Sequence, residues 1–216
     1  MGSVIITGAN GSIAMKTIEY ILKHHPSVTL ILPVRNNTPA DANTQALHTL
    51  LSQYPDTEEK SSVHKLDLTS LSNVQSFADE VIKGIAAGMY PPLKAIICNA
   101  FYRDLMGHVK LSEEDGYETT FEVNHVAQAA LVMRLLGHFG PDGGRVFLFS
   151  SDAHLPGKNM LEKIPPGFPA DLDILVNPNQ QTETDAALGF QRYANSKLAV
   201  TSWSYALNRY LQVVRS

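Results

Sequence analysis

Val4-Ile5-Ile6-Thr7-Gly8-Ala9-Asn10-Gly11-Ser12-Ile13-Ala14 is a β-branched apolar run that breaks on glycine and passes straight into a helical pattern. A glycine-bearing turn between a first strand and a first helix brings backbone N–H groups and the positive end of a helix dipole to one point, where a pyrophosphate is stabilised. Four more runs of the same kind follow: Val28 to Val34, Val63 to Leu66, Ala95-Ile96-Ile97-Cys98 and Val146-Phe147-Leu148-Phe149. Each is nearly free of polar residues and bounded by Gly, Pro, Asn or Asp, as strands buried on both faces of a parallel sheet are. Helical spacing fills the gaps near residues 12–25, 39–53, 70–88 and 113–139, with a last helix near 190–212. This alternation predicts an α/β fold: a doubly wound parallel sheet in three αβα layers, with right-handed crossovers.

The 216 residues fit a single domain, 1–216, and 44% hydrophobic with 18% charged residues excludes a disordered chain. A net charge of −4 with no basic block excludes nucleic acid as the expected partner. The single cysteine, Cys98, excludes a disulfide framework or cysteine-rich metal site, and the eight histidines show no ligand spacing. No apolar run reaches the ~18 residues of a membrane span, and the N-terminus carries no secretion signal. The expectation is a soluble, cytoplasmic protein. From Asp152 to Leu188 prolines abound and periodicity fails, which reads as an inserted loop, 152–188, on the substrate side of the domain.

The chemistry concentrates at strand ends and in one late helix. Ligands of doubly wound sheets bind outside the carboxyl ends of the strands. There the chain places Thr7-Gly8, Arg35, Asp67-Leu68 and Asn99-Ala100. After strand two no acid appears until Asp41, and Arg35 instead offers a bidentate cation suited to a ribose 2′-phosphate. Tyr193-Ala194-Asn195-Ser196-Lys197 puts a phenol and an ammonium four residues apart on one helical face. An ammonium beside a phenol lowers its pKa from ~10, and such a group passes a proton to a carbonyl oxygen or takes one from an alcohol. A second Tyr-x-x-x-Lys, Tyr90 to Lys94, contains Pro91-Pro92 and cannot be helical.

These motifs resemble those of the short-chain dehydrogenase/reductase family, with its Rossmann-type fold. Thr7 and Gly8 match the start of its Thr-Gly-x-x-x-Gly-x-Gly turn, while Ser12 and Ala14 stand where it has later glycines and Gly11 falls one residue early. The resemblance implies NADP(H) as cofactor, held by Thr7, Gly8, Asn10, Gly11, Ser12, Ile13, Arg35, Asp67, Leu68, Asn99 and Ala100 together with Tyr193 and Lys197. It implies Tyr193 as general acid/base and Lys197 as its tuner and nicotinamide-ribose anchor. Ser151, in Ser150-Ser151, would hold the substrate oxygen, and Asn124 would support a proton relay. Asn99-Ala100 resembles the family's Asn-Asn-Ala-Gly segment, with Cys98 and Phe101 replacing its outer residues. Tyr-x-Asn-Ser-Lys-Leu-Ala and the long segment between Ser151 and Tyr193 are similar to the retinol-dehydrogenase and protochlorophyllide-reductase branch.

A homodimer or homotetramer and a small apolar carbonyl or alcohol substrate are further implications. The family also continues past the tyrosine helix into strands that this chain lacks, so Leu211 to Ser216 reads as the approach to a sixth strand and the sheet is expected to be C-terminally incomplete. The competing expectation is a non-catalytic NADP(H)-binding sensor or scaffold, motivated by Ser12, Ala14 and that missing region.

Overall fold

The computed structural model describes residues 2–104, 106–178 and 185–214. Five strands form one sheet: β1 (Ser3–Ile6), β2 (Thr29–Val34), β3 (Ser61–Lys65), β4 (Leu93–Cys98) and β5 (Arg145–Leu148), in the order β3-β2-β1-β4-β5. β1 runs parallel to β2 and β4, and β2 parallel to β3. The helices are α1 (Ser12–His24), α2 (Ala42–Ser52), the short α3 (Pro55–Glu58), α4 (Leu71–Ala86), α5 (Thr119–Phe121), α6 (Ala127–Leu135) and α7 (Ala186–Val214). Between α5 and α6 the chain winds a π-helical segment, Glu122–Val126, without leaving the helix axis. This is the doubly wound αβα fold that the alternation predicts.

The chain groups into two compact units, Met1–Ala100 with Gln128–Phe147, and Phe101–Ala127 with Leu148–Ser216. In the first, strand residues alternate between the two faces of the sheet. Val4, Ile6, Leu30, Leu32 and Val34 join Ala14, Ile18 and Leu22 of α1 and Leu47, Leu50 and Leu51 of α2 in one buried cluster. Ile5, Ile31 and Ile96 are fully buried as well, so β1, β2 and β4 bury apolar residues on both faces, with Ser3, Thr29 and Lys94 as their polar residues. Cys98 ends β4 inside this core, and burial pushes its thiol up to about 12. β5 lies at one edge of the sheet, where Phe147 is 45% exposed.

Three boundaries differ from expectation for local reasons. The helix expected from residue 39 starts at Ala42, because the Asp41 carboxylate accepts from Thr44 N and caps it. The one expected from 113 starts at Thr119: Gly116 turns with φ +71° and the Glu118 carboxylate accepts from Phe121 N. Residues 211–214, read as the approach to a strand, are instead the last turn of α7. Arg215 and Ser216 lie outside the described residues.

Candidate active site

The first unit carries the glycine turn. Gly8 holds φ +63°, and a Cβ there would come within 3.0 Å of the Ala100 Cβ, so only glycine fits. Asn99 Nδ2 donates to the carbonyls of Thr7 (3.0 Å) and Gly8 (3.2 Å). Ala100 N donates to Thr7 Oγ1 at 3.0 Å. These bonds splice the end of β1 to the end of β4. Gln128, buried and absent from the sequence expectations, donates from Nε2 to Thr7 Oγ1 (3.2 Å) and to the Ala100 carbonyl (3.1 Å). Its signal in the sequence is only a polar residue on an apolar helical face.

Gly11 is the N-cap of α1, no side chain caps it, and the first turn holds no acid. Ser12 and Ile13 are both exposed. The N–H groups of that first turn therefore face no competing carboxylate of the helix itself. Asn10 Nδ2 reaches Thr44 Oγ1 (3.0 Å), whose hydroxyl donates to the Asn36 carbonyl (2.7 Å). The turn is thereby tied to the loop that carries Arg35. Arg35 is exposed and, among the described residues, makes no ion pair. Asp67 caps its own turn, its Oδ1 accepting from Thr69 N (3.0 Å) and Oγ1 (2.8 Å), and Leu68 is buried. An uncapped helix N-terminus and, beyond β2, a cation with no ion pair among the described residues suit a phosphorylated dinucleotide.

The second unit carries the tyrosine helix. Tyr193 and Lys197 lie one turn apart on α7, with Lys197 Nζ 5.7 Å from the Tyr193 ring centroid. Lys197 is buried, its Nζ donates to the Phe149 carbonyl at 3.0 Å, and burial pushes its pKa down to about 8. Asn124 sits in the π segment with its amide engaged on three sides. Its Oδ1 accepts from Tyr102 N (2.7 Å), and its Nδ2 donates to the Tyr102 carbonyl and to Ser196 Oγ (both 2.9 Å). Ser196 Oγ in turn donates to the Tyr193 carbonyl at 2.7 Å. The side chain of Asn124 thus fastens residue 102 to the turn of α7 that carries Tyr193 and Ser196.

The serine doublet divides its tasks. Ser150 Oγ meets Thr201 Oγ1 at 2.7 Å and the Lys197 carbonyl at 3.4 Å. Ser151 Oγ donates to Asp152 Oδ1 (3.0 Å) and accepts from Ala153 N (3.2 Å), capping the short turn Asp152–His154. Ala153 then packs with Phe190 and Ala194, with Tyr193 against the same cluster. Further along the inserted segment, Gly167 N donates to Asn195 Oδ1 (2.9 Å) and Gln191 Nε2 to the Pro165 carbonyl (3.2 Å). Residues 191 and 195 lie on the side of α7 turned away from Tyr193. The segment therefore begins beside Tyr193 and is pinned by its middle to the opposite flank; residues 179–184 lie outside the described residues.

The helix start is clamped by contacts that sequence reasoning missed. Arg192 donates to the carbonyls of Gly107 (2.8 Å) and His108 (3.1 Å), with its Nε 3.7 Å from the buried Glu118 carboxylate. Gly107 holds φ +88°, and a Cβ there would collide with the backbone of Asp185. His125, next to Asn124, is packed between the rings of Phe121 (5.5 Å) and Trp203 (6.0 Å), and burial pushes its pKa down to about 4. Below its ordinary value the unfolded chain takes up a proton that the folded chain refuses, so stability falls as pH drops from 6.5 towards 4. Urea unfolding at pH 7.5 and pH 5 will show a loss of about 2 kcal/mol from this group, and His125→Phe will remove that component.

No family model matches the chain. Among curated proteins it is 26% identical over 159 residues to "Short-chain dehydrogenase iccH" of Talaromyces variabilis, covering 72% of this chain and 43% of that one. It is 34% identical over 154 residues to the "WW domain-containing oxidoreductase" of Gallus gallus, covering 70% of this chain and 33% of that one. The chain thus spans less than half the length of either relative. Among solved structures, the NADPH-bound carbonyl reductase from chicken fatty liver superposes with a TM-score of 0.64 at 17% identity, covering 97% of this chain and 74% of that one. The sequence relatives are named as a short-chain dehydrogenase and an oxidoreductase, and the solved structure shares this chain's fold. Among the described residues no helix is long and apolar enough to cross a membrane, and no group of three or more metal-ligating side chains occurs.

Proposed function

We propose that the chain is an NADP(H)-dependent oxidoreductase acting on a carbonyl/alcohol pair, with Tyr193 as general acid/base. The observation that carries this reading is the Tyr193–Lys197 pair, with a buried ammonium one turn from a phenol. A cation is not buried without a use or a partner, and among the described residues this one meets one backbone carbonyl and two aromatic rings but no carboxylate. When bound, the nicotinamide supplies or accepts the hydride. Tyr193 Oη delivers the proton to the substrate oxygen during reduction and removes it during oxidation. Lys197 favours the phenolate through its charge. Ser151 is proposed as the hydrogen-bond partner of the substrate oxygen, and Asn124, through Ser196 and Tyr102, as a positioning residue rather than a relay built from its amide.

Gly8, Gly11, Ser12 and Ile13 would hold the pyrophosphate on the first turn of α1. Thr7, Asn10, Asn99 and Ala100 fix the shape of that turn, and Asp67 with Leu68 would flank the adenine. Arg35 would meet the 2′-phosphate, which is why NADP(H) is proposed over NAD(H); the chicken carbonyl reductase of similar fold was solved with NADPH. A homo-oligomer and a small apolar substrate complete the reading.

The test is a fluorescence titration of the purified chain with NADPH and with NADH. NADPH will bind at least tenfold more tightly, and Arg35→Ala will weaken NADPH tenfold or more while leaving NADH unchanged, as loss of a charge-assisted phosphate contact requires. Equal loss of both cofactors would overturn the assignment of Arg35, and binding of neither by the folded chain would overturn the cofactor reading.

A further inference from the structure

Phe101 stands where the resembled Asn-Asn-Ala-Gly segment has its smallest residue, and nothing in the chemistry above uses it. It is 54% exposed, yet its ring is not adrift in solvent. Lys197 Nζ lies 5.7 Å from the Phe101 ring centroid, the same distance as from the Tyr193 centroid. The ammonium therefore lies over two rings, each offering the negative region of its π system to the charge.

The backbone that carries the ring is fixed. The N–H and carbonyl of Tyr102, the next residue, are both taken by the Asn124 amide (2.7 and 2.9 Å). Asn124 is held by Ser196 Oγ (2.9 Å), which donates to the carbonyl of Tyr193. A chain of four hydrogen bonds thus runs from the residue after Phe101 to Tyr193 itself. An exposed single apolar residue is ordinary. An exposed aromatic ring that is held by a cation and registered to the backbone of the Tyr193 turn is a preorganised surface, and little entropy is lost when a ligand lies against it.

Resting on the reading of the preceding subsection, we propose that Phe101 is the specificity-determining residue of this site, and that it selects carbonyl or alcohol substrates with a flat, conjugated or aromatic group beside the reacting carbon. A flat π system gains offset stacking on the ring in addition to buried area; a saturated ring of the same size gains only the area. Leucine at 101 would keep the apolar bulk and remove the stack.

The experiment compares matched pairs. With NADPH, kcat/KM is measured for benzaldehyde and for cyclohexanecarbaldehyde in the wild type, Phe101→Leu and Phe101→Ala. Taking the aryl-to-saturated ratio in each protein cancels the intrinsic reactivity of the two aldehydes. The ratio is expected to fall about fivefold to tenfold in Phe101→Leu, through KM more than kcat. The same ratio read as dissociation constants of benzyl alcohol and cyclohexylmethanol, by ligand-detected NMR, gives a measure that needs no turnover. If both ratios are unchanged in Phe101→Leu, Phe101 does not select the substrate and the proposal is overturned. If neither aldehyde turns over while the alcohol-binding ratio falls as expected, the assignment of Phe101 stands and the catalytic reading is what fails.

Discussion

Tyr193→Phe will lower kcat by about a hundredfold to ten-thousandfold while leaving the NADPH dissociation constant within about twofold of wild type, since only the proton-carrying oxygen is removed. The ring keeps its place: it packs against the Ala153, Phe190 and Ala194 cluster, and Lys197 Nζ lies over it, 5.7 Å from the centroid. Steady-state kinetics with an aldehyde screen, beside a cofactor titration, decide the matter. This variant also separates the two readings of the chain. A sensor or scaffold that only binds NADP(H) would show no turnover to lose, and Tyr193→Phe would leave every measurable property unchanged.

Lys197→Met has the second large effect, and it appears in two places at once. Activity will fall by roughly a hundredfold, because the charge that favours phenolate is gone. Stability will change its pH dependence. The folded pKa of Lys197 is pushed down to about 8 by burial, against 10.5 for an exposed lysine. Between those values the unfolded chain binds a proton that the folded chain does not, so wild-type stability rises with pH across this window. From pH 7.5 to pH 9.5 the gain attributable to this group is about 2 kcal/mol. In Lys197→Met that gain is absent, although the Phe149 carbonyl loses its donor at every pH. Urea titrations of both proteins at the two pH values test this; parallel curves would show that Lys197 is not the buried cation it is taken to be.

The fold was legible because its central strands are apolar on both faces, a pattern set by neighbours above and below the sheet that any reader of β1, β2 and β4 can see. The glycine turn was legible for a related reason: Gly8 answers to a local demand, a left-handed residue pressed against Ala100. What stayed hidden depends on pairings between distant segments. Nothing near Arg192 in the chain foretells that it will pin residues 107 and 108 and meet Glu118. The partners of the Asn124 amide, Tyr102 and Ser196, likewise come from segments far along the chain and require the tertiary fold to be known. That Ser150 rather than Ser151 meets Thr201 of α7 is again a pairing between distant segments. Leu211 to Val214 misled because an apolar run with valines suits a strand, whereas a helix already 25 residues long continues more easily than it stops.

Cys98 turns the protein into its own unfolding reporter. The lone thiol closes the central strand β4, and burial holds it in the unreactive protonated form with its pKa pushed up to about 12. A thiol reagent added to the native chain therefore has one target and no access to it until the sheet opens. The labelling rate would then measure how often the heart of the domain comes apart, with no added dye and no engineered residue. Ligands that tighten the fold would announce themselves by slowing that clock.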